Sequence, residues 1–134
     1  MSKLWKESYA LNIKEIDNQH IELFKILEEL LNAMSQGQGN QVVLKIINNL
    51  ENYARMHFGI EEKYMQKFGY EKFQDHFEAH QYFYKKMAEC KQAFQSNNLI
   101  VTKDLMDFLN KWIVKHICGT DTLYKELFIQ NNVR

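Results

Sequence analysis

The stretch ENYARMHFGIEEKYMQKF, from Glu51 to Phe68, carries apolar residues at the three- and four-residue spacing of an amphipathic helix. A histidine, His57, and a glutamate, Glu61, stand on the same apolar face, one helical turn apart. A buried glutamate destabilises a protein unless a partner compensates its charge. The stretch therefore indicates a core-forming helix that also carries a polar site into the core.

Similar helical periodicity extends over most of the 134-residue chain. We predict four helices, over about residues 18–35, 41–68, 71–95 and 102–118. Asp17 is a candidate N-cap of the first helix, and Gly69 is a candidate left-handed C-terminal cap of the second. Short links between long helices favour antiparallel neighbours, and no strand-like alternation is sustained. The prediction is an all-α, up-down-up-down four-helix bundle of about residues 17–130, preceded by an N-terminal arm of about residues 1–16 that packs against it.

Composition and charge exclude several classes of function. A length of 134 residues, 46% of them hydrophobic, fits a single domain, and a formal net charge of zero offers no basic surface for nucleic acid. The chain has neither a signal-peptide pattern nor an apolar run of roughly 18 residues, so we expect no membrane insertion and a cytoplasmic location. Cys90 and Cys118 form no CxxC pair and are predicted to be buried thiols.

The histidines are the most informative residues. A single histidine on an apolar face is usually a hydrogen-bonded core residue, but a set with no surface member requires a shared cause. Imidazole and carboxylate groups are typical ligands of transition metals. The chain has only five histidines, and the predicted helices place all of them on apolar faces: His20, His57, His76, His80 and His116.

The spacing of these residues fits metal binding. Side chains four residues apart on a helix are separated by about 6 Å, which suits two imidazoles that each lie about 2.1 Å from one ion. His76 with His80, and His57 with Glu61, can each hold a metal in this way. Five imidazoles and a carboxylate are too many for one metal that keeps a free position, so we predict two metals with Glu61 as a bridge. Glu62 lies about 100° away from this stripe and is predicted to be a solvated surface carboxylate.

Asp121 is the candidate for a second bridge. It follows His116 by five residues, and on a regular helix this offset turns the side chain about 140° away. Gly119 stands between them and permits a local irregularity, which we predict here. The alternative is that Asp121 caps a last helical turn that begins at Thr122.

Four motifs together resemble the hemerythrin family in its single-domain bacterial form. They are D-x-Q-H at 17–20, H-F-x-x-E at 57–61, H-F-x-x-H at 76–80 and H-I-x-G-T-D at 116–121. The resemblance covers nearly the whole chain of residues 1–134 and includes W-x-x-S-Y in the arm. It implies a non-haem di-iron centre that binds dioxygen reversibly.

The resemblance also implies a role for each ligand. One six-coordinate iron would be held by His76, His80 and His116. The other iron, with one open position, would be held by His20 and His57. Glu61 and Asp121 would bridge the two irons together with an oxo or hydroxo group. In the family, dioxygen binds end-on at the open iron and is held as a hydroperoxide.

Apolar residues near these ligands in the sequence are candidates for the wall of a dioxygen pocket: Phe24, Phe58, Trp112, Ile113 and Ile117. A dry wall disfavours the escape of superoxide or peroxide, so it favours reversible carriage over oxidation chemistry. We therefore predict an oxygen carrier or store, with dioxygen as its ligand, and not an enzyme.

Other roles use the same cluster. They include a sensor of dioxygen, nitric oxide or redox state, a di-iron oxidase, a peroxide scavenger and an iron-sequestering protein. The carboxylate-rich sites of ferritin-like bundles carry Glu-x-x-His pairs, which this chain lacks. It also lacks the His-Glu-x-x-His motif of zinc hydrolases.

Overall fold

The computed structural model describes residues 4–96 and 101–133. A short 3-10 turn, Glu7–Tyr9, lies in the arm. Four long helices follow: α1 (Lys14–Ser35), α2 (Gly39–Lys67), α3 (Phe73–Gln95) and α4 (Val101–Trp112). After α4 come a π-helical turn, a 3-10 turn and a short helix α5, which are Ile113–Ile117, Thr120–Tyr124 and Lys125–Gln130.

The four long helices form the predicted hemerythrin-like bundle. Each helix packs against the next one along the chain, and α4 also packs back against α1 and α2. Gly37 and Gly69, in the turns after α1 and α2, have φ angles of +71° and +66°, in the left-handed region that suits glycine. The C-terminal cap predicted at Gly69 is confirmed. Within the described ranges there is no strand, and no helix is long and apolar enough to cross a bilayer.

The first helix begins earlier than predicted, and Asp17 is not its N-cap. The helix starts at Lys14, so the arm ends near residue 13 and not near residue 16. The Asp17 carboxylate accepts hydrogen bonds from the backbone N–H groups of Leu11, at 2.8 Å, and Asn12, at 3.1 Å. Asp17 therefore sits inside the first turn and reaches back to hold the end of the arm.

Two apolar clusters fill the bundle, and the arm contributes to both. Trp5 belongs to the larger cluster and packs edge-on against Phe24, with ring centroids 5.5 Å apart. Leu11 and Ile13 belong to the smaller cluster, together with Met65 of α2. The predicted packing of the arm is confirmed. Along α2 the larger cluster ends at Phe58 and the smaller one begins near Ile60, so the polar side chains of this region lie where the two clusters meet.

The end of α4 departs from regular α-helix, as predicted. The Cys118 N–H donates to the Ile113 carbonyl in an i→i+5 bond, which widens the helix by one residue. At Gly119 a Cβ atom would lie 2.6 Å from the Lys115 carbonyl oxygen, so only glycine fits this close approach. The chain then enters the 3-10 turn that carries Asp121.

The two cysteines have different environments. Cys90 is buried, as predicted, but Cys118 is exposed, so its predicted burial is wrong. Cys118 follows the inward-facing His116 by two residues, an offset that turns a helical side chain about 200° away.

Candidate metal centre

Seven polar side chains converge in the interior of the bundle, and none exposes more than 4% of its surface. The helices α1, α2 and α3, the π-helical turn and the following 3-10 turn all contribute. These are the residues that the sequence predicts as metal ligands: His20, His57, Glu61, His76, His80, His116 and Asp121.

The ligand atoms form two groups, and within each group they lie within 4.8 Å of one another. The first group is made of three histidines and two carboxylates: His76, His80, His116, Glu61 and Asp121. The second contains His20 and His57 with the same two carboxylates. Because both groups share both carboxylates, the arrangement suits two cations held side by side. The second group offers one protein ligand fewer than the first.

The two oxygens of the Asp121 carboxylate face different groups. Oδ1 lies 2.9 Å from His76 Nε2 and 3.0 Å from His116 Nε2. Oδ2 lies 3.1 Å from His20 Nε2. The Asp121 carboxylate faces these histidines from the first turn of a 3-10 helix, and no side-chain cap bond is made at that helix's N-terminus.

Glu61 occupies the corresponding position on the α2 side. Its Oε1 atom lies 3.2 Å from His80 Nε2 and 3.3 Å from His57 Nε2, so a single oxygen stands between the two groups. Its Oε2 atom accepts a hydrogen bond from the buried hydroxyl of Tyr124. The hydroxyl fixes the carboxylate and leaves Oε1 directed at the histidines.

Most of these atoms lie close together without forming hydrogen bonds. Across the part of the chain that the structure describes, seven buried ligand atoms have no hydrogen-bond partner: Nε2 of His20, His76, His80 and His116, Oε1 of Glu61, and both carboxylate oxygens of Asp121. Buried polar atoms are rarely left unpaired, because each unpaired group costs about 1–3 kcal/mol. Lone pairs aimed at common points, without hydrogen bonds between them, are the arrangement that bound cations require. The residues present therefore fit a metal centre.

The charge states also fit. Burial alone would raise the pKa of the Asp121 carboxyl, but the neighbouring histidines, His116 above all, hold it well below its usual value. The pKa of Glu61 falls to about 2, because His57 and His80 outweigh burial and the charge of Asp121. Burial lowers the pKa of His57 to about 4. Ionised carboxylates and a neutral imidazole are the forms that bind metals. Burial would lower the pKa of His80, but the neighbouring Glu61 and Glu62 carboxylates raise it to about 9, so this imidazole must lose a proton when a metal binds.

Comparison with known proteins agrees with this geometry. Residues 11–128 match the protein family described as "Hemerythrin HHE cation binding domain". The chain belongs to the hemerythrin family. A bacteriohemerythrin of Clostridium acetobutylicum is 33% identical over 129 residues, covering 90% of this chain and 97% of that protein. A bacteriohemerythrin of Pseudomonas paraeruginosa is 29% identical, covering 90% and 78%, and a myohemerythrin of Theromyzon tessulatum is 26% identical, covering 90% and 89%.

In this member of the hemerythrin family, two further side chains orient the histidines. His80 Nδ1 lies 2.7 Å from Glu62 Oε2, and His57 Nδ1 lies 2.6 Å from Gln19 Oε1. With Nε2 of each ring directed at the centre, Nδ1–H donates to these acceptors and fixes the ring. The prediction that Glu62 is a solvated surface carboxylate is wrong, since its side chain is 21% exposed and reaches from α2 to α3.

Sequence reasoning also missed Gln19 and Tyr124. Gln19 stands inside the D-x-Q-H motif, and the general need of a metal-bound histidine for an acceptor at its other nitrogen could have drawn attention to it. Tyr124 carries no such signal. It follows the irregular end of α4, where helical periodicity no longer tells which way a side chain points.

The candidate pocket residues lie in the larger apolar cluster. Phe58 stacks on His80, with centroids 3.8 Å apart and an interplanar angle of 2°. Trp112 stacks on His116 at 3.9 Å and 12°. Phe24 is placed differently, since its ring packs against Trp5 and Tyr9 of the arm. Ile113 and Ile117 are buried in the same cluster.

Proposed function

We propose that this chain holds a di-iron centre and binds dioxygen reversibly, as a carrier or store and not as an enzyme. The observation that carries the proposal is the pair of ligand groups that share both carboxylates and differ by one histidine. Membership of the hemerythrin family supports the same conclusion. We also propose that residues 1–134 work as a single domain, since the arm contributes to both apolar clusters.

We propose two metal positions for the seven residues. One iron would be held by three histidines: His76, His80 and His116. The other would be held by His20 and His57, and Glu61 and Asp121 would bridge the two irons. This assignment is supported by Asp121, whose two oxygens face opposite groups. When bound, the iron pair with its oxo or hydroxo bridge would supply one open coordination position and the two electrons that dioxygen takes up.

The remaining task of the protein is to keep water out. Phe58 and Trp112 cover one face each of His80 and His116. Together with Ile113, Ile117 and Phe24, which expose 7% or less of their surface, they form the dry wall that we propose for the dioxygen pocket. Charged products of oxygen reduction leave such a site slowly, because departure requires water and protons. This wall is the reason to favour a carrier over an oxidase or a peroxide scavenger.

Stoichiometry tests the proposal. The chain is loaded with Fe(II) without air, freed of unbound metal, and the iron per chain and the dioxygen taken up are measured. We expect two irons per chain and one dioxygen per iron pair. Glu61→Ala should lose at least one iron, whereas the exposed control Glu78→Ala should keep both. One iron per chain, or full loading of Glu61→Ala, would contradict the proposal.

A further inference from the structure

Tyr53 carries a buried hydroxyl that no residue in the described part of the chain uses. It lies on α2, one turn before His57, and only 6% of its surface is exposed. Its hydroxyl oxygen is buried and has no hydrogen-bond partner anywhere in residues 4–96 and 101–133. A phenylalanine would fill the same space without leaving a polar group unpaired, so a tyrosine at this position requires an explanation.

The position of Tyr53 connects it with one half of the metal centre. Its ring stacks on His57, with centroids 5.3 Å apart and an interplanar angle of 21°. His57 in turn meets the edge of the His20 ring at 4.8 Å. His20 and His57 form the ligand group that offers one protein ligand fewer. Tyr53 therefore adjoins the side of the centre on which an open coordination position is proposed.

Tyr124 is a second buried tyrosine beside the centre, with its ring centroid 5.6 Å from that of His76. Tyr124 provides the contrast, because its hydroxyl already donates to Glu61. Of these two buried tyrosines beside the centre, only Tyr53 keeps its donor free.

We propose that the Tyr53 hydroxyl donates a hydrogen bond to the small exogenous ligand bound on the His20–His57 side of the centre. The inference rests on the proposed function and identifies Tyr53 as the residue that distinguishes among small ligands of the centre. A donor in a dry site favours ligands whose free end carries negative charge, such as reduced dioxygen or azide, because hydrogen bonds to charged acceptors are the strong ones. It favours neutral diatomic ligands much less.

The test compares Tyr53→Phe with Tyr82→Phe, which removes a hydroxyl from an exposed tyrosine on α3. Both variants are loaded with iron, and azide affinity of the oxidised form and the dissociation rate of dioxygen are measured. We expect Tyr53→Phe to weaken azide binding and to speed dioxygen loss about tenfold, the effect of losing one hydrogen bond. Tyr82→Phe should match the wild type in both measurements.

A second readout needs no iron. In the metal-free chain the hydroxyl has no acceptor, so Tyr53→Phe should unfold at the same denaturant concentration as the wild type, or at a higher one. Earlier unfolding would mean that the hydroxyl is already paired, and would overturn the inference. Unchanged azide affinity and dioxygen release in fully loaded Tyr53→Phe would overturn it too. So would a phenolate-to-iron absorption band that the substitution removes, since Tyr53 would then be a ligand.

Failure of this inference is distinguishable from failure of the proposed function. If the wild type takes up two irons and binds dioxygen while Tyr53→Phe behaves identically, only the inference fails. If the wild type takes up no iron pair, the proposed function fails and the inference falls with it.

Discussion

Asp121 Oδ1 lies 3.0 Å from His116 Nε2, although their separation of five residues would turn a regular helix by about 140°. The π-helical turn Ile113–Ile117 and the close approach at Gly119 remove that offset. A small backbone irregularity thus directs both side chains at the same point, and the ligand set of both groups depends on it.

Gly119→Ala should disrupt this relationship. The added Cβ would meet the Lys115 carbonyl oxygen at 2.6 Å, so the backbone must move. We expect the free energy of unfolding to fall by about 1–3 kcal/mol and iron to be lost as Asp121 shifts. Gly59→Ala in the middle of α2 is the matched control, since its added Cβ would meet nothing within 4 Å beyond its own stretch of helix backbone. It should raise stability by roughly 0.5–1 kcal/mol and keep both irons, and an equal effect of the two substitutions would contradict this account.

Removal of the Glu62 carboxylate should weaken iron binding without unfolding the bundle. Glu62→Ala leaves His80 Nδ1 without its acceptor, so the ring is no longer held in place. We expect iron affinity to fall 10- to 100-fold in a competition with a chelator, as is typical when such a partner is lost. Glu78→Ala, on the exposed side of α3, should behave as the wild type. Equal affinity in the two variants would mean that the bond to His80 is not needed.

Iron should stabilise the fold strongly, because it would satisfy buried ligand atoms that have no partner among the described residues. Free iron at 100 times its dissociation constant should raise the free energy of unfolding by about 2.7 kcal/mol. Thermal unfolding with and without iron measures the gain. Glu61→Ala should gain less than the wild type. A gain of the same size in that variant would show that iron binds elsewhere.

Asp17 should matter for stability and not for metal binding. Its carboxylate accepts two backbone hydrogen bonds that anchor the arm. We expect Asp17→Ala to cost about 1–2 kcal/mol in denaturant unfolding, with the iron content unchanged. Asp75→Ala, at the exposed start of α3, should cost less. A loss of iron in Asp17→Ala would give this residue a role in the centre as well.

The four helices and the inward orientation of the five histidines and Glu61 were predictable, because each depends on periodicity along a single helix. The burial of residues such as His57 and Glu61 can be predicted from the apolar stripe in which they stand. Contacts between helices carry no such signal. Glu62 lies off the stripe of α2, yet its length lets it reach His80 on α3. Aspartate is a common N-cap residue, but the carboxylate of Asp17 accepts its hydrogen bond from the backbone of the arm.

Where periodicity breaks, prediction from the sequence also loses its basis. Gly119 made an irregularity near Asp121 foreseeable, but not its form as a π-helical turn followed by a 3-10 turn. That form decides that Tyr124 points at Glu61, an outcome that depends on a backbone path that only the packed structure determines.

Reversible oxygenation is the most direct test of the central claim. The reduced, iron-loaded protein is exposed to dioxygen, evacuated and exposed again while its absorption spectrum is followed. We expect a colourless form to gain a charge-transfer band in dioxygen, lose it under vacuum and regain it over several cycles. A single, irreversible change to the oxidised form would contradict the proposal of a carrier and would favour a sensor or an oxidase.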